Sequence, residues 1–290
     1  MTLDAERALY DRVAVETAAV VIRRYSTSFG MATALLGKNI RPHVKNLYAL
    51  VRVADEVVDG VAASAGLDQP AVLAALDALE AETVHALGTG YSANLVVHAF
   101  ALSAREHGIG TDLTEPFFAS MRADCLRSEH SAESFERYIF GSAEVVGLMC
   151  LRVFLSESPA DTAERERLTA GARRLGAAFQ KVNFLRDIAA DEEGLGRAYF
   201  PGVDIDHLTE DTKAHLVADI REDLAASAAV LPGLPRSSRR AVALAQALFT
   251  ELTDRIEATP AARLSHTRVR VPDPVKARLA AGVLLGRLPR

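Results

Sequence analysis

Helical periodicity runs through this chain from end to end, and it restricts the fold more than any other feature. Apolar residues recur at helical spacing over about 4–24, 41–59, 69–87, 92–108, 112–128, 132–155, 161–191, 212–230, 236–258 and 273–286. Breakers separate these segments: Arg41-Pro42, Gly60, Gln69-Pro70, Gly88-Thr89-Gly90, Gly108-Ile109-Gly110, Ser158-Pro159, Gly194-Leu195-Gly196 and Pro232-Gly233-Leu234-Pro235. Asp112 and Asp161 stand where N-caps belong. No strand alternation bounded by hairpin turns persists, and neither a fixed-period repeat nor a linker divides the chain. The prediction is one all-α domain over residues 1–290. With 49% hydrophobic residues it can bury a sizeable core.

Charge and cysteine usage remove several function classes. The net charge is −5, which argues against nucleic acid as a partner. The two cysteines, Cys125 and Cys150, form no CxxC, so neither a disulfide framework nor a zinc site is expected, and a reducing compartment fits. The N-terminal stretch MTLDAERALYDRVAVE is charged and lacks the apolar core of a signal peptide. No unbroken run of about 18 apolar residues occurs, so no membrane-spanning helix is expected. The expected location is the cytoplasm. The apolar stretch Leu279–Leu285, flanked by basic residues, could touch the inner face of a membrane peripherally, although a terminal helix packed on the body explains it as well.

Two short carboxylate motifs carry the functional signal. The first is Asp55-Glu56-Val57-Val58-Asp59 and the second Asp187-Ile188-Ala189-Ala190-Asp191, about 130 residues later. Spacing of i, i+4 puts both aspartates of a pair on one helix face, where like charges repel by about 0.2–0.5 kcal/mol. A chain that does this twice uses the carboxylates to hold cations. Hard oxygen ligands with no His or Cys nearby point to Mg²⁺, or Mn²⁺ in its place, bridging protein carboxylates to substrate phosphates.

The flanking residues extend each motif into a polar stripe. Tyr48, Arg52, Asp55 and Asp59 are spaced four, three and four, among Leu47, Leu50, Val51, Ala54 and Val58. So narrow a polar face among apolar neighbours predicts an internal cavity rather than solvent. Gln180, Asn183, Asp187 and Asp191 repeat the device in an equally apolar helix. After it, Gly194-Leu195-Gly196-Arg197-Ala198-Tyr199 forms a loop that could close over a diphosphate, with Arg197 and Arg186 as phosphate ligands. The hydroxyls of Tyr25-Ser26-Thr27-Ser28 at a helix end suit an anion. The segment Tyr138–Met149 is apolar on nearly all sides, and Gly141, Ala143 and Gly147 either leave room for hydrocarbon chains or allow close helix packing. No P-loop, dinucleotide fingerprint, HExxH or GxSxG occurs, so NADPH is not expected. Facing carboxylate helices, basic residues and an apolar interior fit a substrate with a diphosphate head and a hydrocarbon tail. Its ionised allylic cation would form away from water.

These pieces resemble the squalene/phytoene synthase family. The resemblance rests on Tyr25-Ser-Thr-Ser-Phe29, on Leu47 to Asp59, on Tyr138 with Gly141 to Gly147, and on Gln180-x-x-Asn-x-x-x-Arg-Asp-x-x-x-Asp191 followed by Gly196-Arg-x-Tyr-Phe-Pro201. It spans roughly residues 15–260, and the Arg52–Asp59 form is most like bacterial phytoene synthases. The resemblance implies an isoprenoid-synthase bundle with a central apolar cavity. Asp55, Asp59, Asn183, Asp187 and Asp191 would hold the metal. Ser26, Ser28, Arg52, Gln180, Arg186, Arg197 and Tyr199 would bind substrate, and Tyr48 and Tyr138 would sit near the developing cation. The implied reaction joins two prenyl diphosphates, most naturally two geranylgeranyl diphosphates, through a cyclopropylcarbinyl diphosphate to phytoene, in carotenoid biosynthesis. The same pattern also fits a C30 synthase acting on farnesyl diphosphate (giving dehydrosqualene, squalene or presqualene diphosphate), a class I terpene cyclase, or a non-enzymatic lipid-binding protein. One departure stands out: where relatives carry a Tyr-Asp-Val-Phe-like stretch, Ile256-Glu257 here is followed by Ala258-Thr259-Pro260-Ala261-Ala262-Arg263.

Overall fold

A computed structural model describes residues 2–126, 129–158, 160–194, 199–204, 207–264 and 266–287, and of 189–194 the backbone alone. The helices are α1 (Leu3–Tyr25), α2 (Thr27–Thr33), α3 (Arg41–Val58), α4 (Val61–Ser64), α5 (Gln69–Thr89), α6 (Leu95–Glu106), α7 (Thr111–Leu126), α8 (Ala132–Ile139), α9 (Val145–Leu155), α10 (Thr162–Gly194), α11 (Glu210–Val230), α12 (Arg236–Ala258), α13 (Ala261–Leu264) and α14 (Asp273–Leu284). No β-strand forms among the described residues. The chain is therefore all-α, as its periodicity predicts, and each expected segment is present. The short helices α2, α4 and α13 fall within stretches too brief for periodicity to register.

Local chemistry sets the boundaries. Pro42 opens α3, where a missing N–H costs no hydrogen bond. Asp68 caps α5 by accepting from the Ala71 N–H at 3.0 Å, and Gly90 ends that helix in the left-handed conformation at φ 78°. Asp161 caps α10 through the Glu164 N–H at 2.8 Å, as expected. Asp112 does not cap α7: it lies inside the first turn and pairs with Arg152 instead.

The segment 132–155, read from sequence as one helix, is interrupted by a π-helical turn at Phe140–Glu144. It is long and apolar enough to cross a membrane by length and composition, but half of its apolar window is buried within the bundle, where Val145 and Met149 have essentially no exposure. The core has two parts. One gathers Leu47, Leu50, Leu76, Phe100, Phe117 and Phe118; the other gathers Phe184, Leu185, Ile220, Ile256 and Leu264. A cavity of about 1610 Å³ takes wall residues from both.

Candidate active site

The cavity is built by helices that carry two stripes each. On α3, Leu47, Leu50, Ala54 and Val58 are buried in the core, while the neighbouring stripe of Tyr48, Arg52, Asp55 and Asp59 lines the cavity. On α10, Ala178, Val182, Leu185 and Ile188 are buried, while Gln180, Asn183 and Asp187 line the same cavity. The two sequence motifs thus meet across one space. Asp191 continues α10, but its side chain, like Arg197 as a whole, lies outside the described residues.

The carboxylates have different electrostatic settings. Burial, and then the charge of Asp59, push the Asp55 carboxyl up to about 8, with Arg52 opposing and Asp124 adding a little. Asp187 is compensated instead. Arg186 reaches Asp187 Oδ1 at 2.9 Å from the same helix, and Arg268 Nε lies 2.8 Å from that oxygen. Arg186 is therefore engaged with a carboxylate rather than turned wholly to the cavity. Arg52 pairs with Glu56 one turn on, and its guanidinium sits 4.8 Å from the centre of the Tyr25 ring. Among the described residues Asn183 Oδ1 is shut off from solvent without a hydrogen-bond partner. A buried amide oxygen left in that state is costly, and a cation in front of it would satisfy it.

At the cavity rim, α1 ends at Tyr25 and Ser26 caps α2 by accepting from the Phe29 N–H at 3.1 Å. The Ser26 hydroxyl also pairs with Tyr48, whose pKa is raised chiefly by burial. Ser28 lines the same rim. Tyr138 and Tyr199 are both buried and both donate to Asp124, at 2.9 Å to Oδ2 and 3.3 Å to Oδ1. Tyr199 also stacks on Phe184 with centroids 3.9 Å apart. Burial and the Asp124 charge drive the Tyr138 pKa well above its usual value, so this hydroxyl keeps its proton.

Helix α7 holds Tyr138 twice. The π turn widens the helix just after Tyr138, and the Ser120 hydroxyl donates to the Tyr138 carbonyl at 3.1 Å. One turn further along α7, Asp124 receives the Tyr138 hydroxyl. Gly141, within the π turn, presses against the Pro116 carbonyl and Ser120. A Cβ at Gly147 would stand 2.6 Å from the Ala172 carbonyl oxygen of α10. Both glycines therefore permit close helix packing, although Gly147 also lines the cavity.

Sequence reasoning noted the basic segment Arg263, His266, Arg268 and Arg270 but gave no site role to Arg268, Arg270, Asp124 or Lys276, all of which line the cavity. For the arginines a signal existed: Arg268-Val269-Arg270-Val271 alternates with a period of two in a chain otherwise periodic at 3.6. None of Ala258–Arg263, where the sequence departs from relatives, is among the residues lining the cavity, whose wall includes the stacked rings of Phe179 and Phe249, 3.8 Å apart, and Val269. Neither cysteine forms a disulfide. Cys150 lines the cavity, and burial pushes its thiol up to about 12, so it behaves as an apolar side chain.

The profile of the squalene/phytoene synthase family matches residues 22–274. A 15-cis-phytoene synthase of Paracoccus sp. (strain N81106 / MBIC 01143) is 32% identical over 65% of this chain and 60% of its own length. One from Pantoea ananas is 28% identical over 84% of this chain and 81% of its own. The fold is similar to that of a dehydrosqualene synthase solved with a ligand, with a TM-score of 0.78 at 20% identity over 95% of this chain and 96% of that one. A squalene synthase from Alicyclobacillus acidocaldarius gives 0.71 at 20% identity over 87% and 97%.

Proposed function

The chain belongs to the squalene/phytoene synthase family, and on that footing we propose that it condenses two geranylgeranyl diphosphates head to head into phytoene. The observation that carries this reading is the meeting of the α3 and α10 carboxylate stripes in the lining of one large, mostly apolar cavity. Relatives named 15-cis-phytoene synthase support the C20 substrate.

Mg²⁺ fits the donors present. Asp55, Asp59, Asp187 and the unpartnered Asn183 Oδ1 are hard oxygen ligands, and Asp191 would complete the set. Bound there, Mg²⁺ would offset the diphosphate charge and make it a better leaving group. Arg52, Arg186 and Arg268 would divide their N–H donors between substrate phosphate oxygens and their present carboxylate partners, with the hydroxyls of Ser26 and Ser28 beside them. Phe179, Phe249, Leu248 and Leu252 keep water from the allylic cation, and the faces of Tyr48 and Tyr138 border that space. Asp124 fixes the ring of Tyr138 by accepting from its hydroxyl. The last proton would leave with the released pyrophosphate, so the net reaction needs no reductant.

Incubating the purified protein with Mg²⁺ and, separately, geranylgeranyl and farnesyl diphosphate tests this by mass spectrometry of the products. A C40 hydrocarbon from geranylgeranyl diphosphate without NADPH is expected. A C30 product alone would overturn the chain length, a cyclic C15 or C20 product would replace condensation with cyclisation, and no pyrophosphate release from either would sink the prenyltransferase reading.

A further inference from the structure

Away from the cavity, a second group of metal-ligating side chains comes together. His43 lies in the opening turn of α3, and Glu106 and His107 close α6. One donor atom of each lies within 4.8 Å of the other two. The two imidazole rings meet edge to face with centroids 4.4 Å apart at 84°, and His43 Nε2 lies 3.8 Å from Glu106 Oε2.

Two observations give the group a purpose. Both ring nitrogens of His107 are shut off from solvent, and neither has a hydrogen-bond partner among the described residues. An imidazole offers one donor and one acceptor, so leaving both unmet in the interior is unfavourable, and a bound cation would take the acceptor. His43 is held in register through its other nitrogen. Its Nδ1 is 3.0 Å from the Ser103 hydroxyl oxygen, which also accepts from Asn46 Nδ2 at 2.9 Å, and both Ser103 and Asn46 are buried. In the tautomer in which Nδ1–H donates to Ser103, the Nε2 lone pair is left for an ion, the arrangement by which metal-ligating histidines are ordinarily fixed.

We propose that His43, Glu106 and His107 form a binding site for a divalent transition-metal ion of the class that takes imidazole nitrogen and carboxylate oxygen, with Zn²⁺ as its representative. Three protein ligands leave one tetrahedral position to water. Donors on one such ion, each about 2.1 Å from it, lie about 3.4 Å apart, so the group closes by roughly 1 Å through side-chain rotation. Glu106 supplies most of that motion, since its side chain is 61% exposed. The partial negative charge at the C-terminus of α6 favours a cation there. His43 precedes Asp55 by about 18 Å of helix, so the ion is separate from the diphosphate end of the cavity. It would pin the start of the helix whose other end carries Asp55 and Asp59 to the end of α6.

The test uses the full chain, free of any affinity tag and stripped of metal. Zn²⁺ is titrated while the imidazole nitrogens are followed in long-range ¹H–¹⁵N spectra. Of the eight histidines, two should shift with saturation near one equivalent, and their signals should be those lost in His43→Gln and His107→Gln. Each variant should weaken Zn²⁺ binding at least tenfold, whereas Asp55→Asn should leave it unchanged. Wild-type melting should rise with Zn²⁺. The proposal fails if no imidazole shifts at a tenfold excess of Zn²⁺, if other histidines shift instead, or if Asp55→Asn abolishes binding that His43→Gln leaves intact. Because the spectra report on the wild-type protein, poor folding of a variant does not decide the outcome.

Discussion

Asp55 sets the stability of the empty protein against the chemistry of the site. Its carboxyl titrates at about 8 in the folded chain, against about 3.9 when unfolded. The folded state therefore holds the extra proton between those values. The stability it contributes is complete below about pH 4 and is lost as pH rises towards about 8, by at most about 1.4 kcal/mol per pH unit. Metal-free protein should melt at progressively lower temperature from about pH 5 to pH 8, and Asp55→Asn should flatten that profile, raise the melting temperature at pH 8, and cut product formation by orders of magnitude. A melting profile unchanged in the variant would place the titration elsewhere. Asp124 gives a second case. Tyr138→Phe removes a hydrogen bond to a charged acceptor, so it should cost about 1.5–3 kcal/mol of stability. Combined with Asp124→Asn it should cost less than the sum, because the two side chains share one interaction; additive losses in denaturant unfolding would refute the coupling. Asp55 was legible in the sequence because its partner stands four residues away. Asp124 was not, because its partners stand 14 and 75 residues away and no local pattern marks a lone aspartate in an amphipathic helix.

Among the elements, α3 and α10 were readable in type, extent and facing, since each carries an apolar and a polar stripe at the same period. The π turn was not readable. An added residue leaves a mostly apolar segment apolar, so 132–155 keeps the look of one helix while its register shifts behind Tyr138. Gly141 within that turn and Gly147 after it gave an ambiguous signal, and at Gly147, which also lines the cavity, the Ala172 carbonyl adds a packing constraint. Gly147→Ala should therefore destabilise the protein by about 1–3 kcal/mol through overpacking against α10, seen as a lower denaturant midpoint with the slope unchanged. Were the residue only making room for substrate, stability would hold and activity alone would fall. The extended segment Arg268–Val271 shows the opposite situation: its period-two pattern was visible, but nothing in the sequence said which helix it crosses. Arg268→Ala should leave folding intact and raise the substrate KM more than it lowers kcat, because Asp187 keeps Arg186.

For the molecule as a whole, the sequence contained the class of fold and the polarity of the cavity, while its depth depends on how a dozen helices close around it. The cavity also joins two kinds of wall. Asp55, Asp187, Arg268 and Lys276 stand in the same lining as Phe179, Leu248, Phe249 and Leu252. A diphosphate arriving from water is attracted to those charges, and its tail to those apolar walls. A hydrocarbon product carries no such handle, and the groups that captured the substrate give it nothing to exchange for the apolar walls it must leave. Departure into water, not bond formation, should then limit repeated turnover, and detergent micelles or vesicles should raise the steady rate while leaving the first turnover unchanged. The exposed Leu284 and Leu285, at the far end of the helix that bears Lys276, offer such an acceptor an apolar contact.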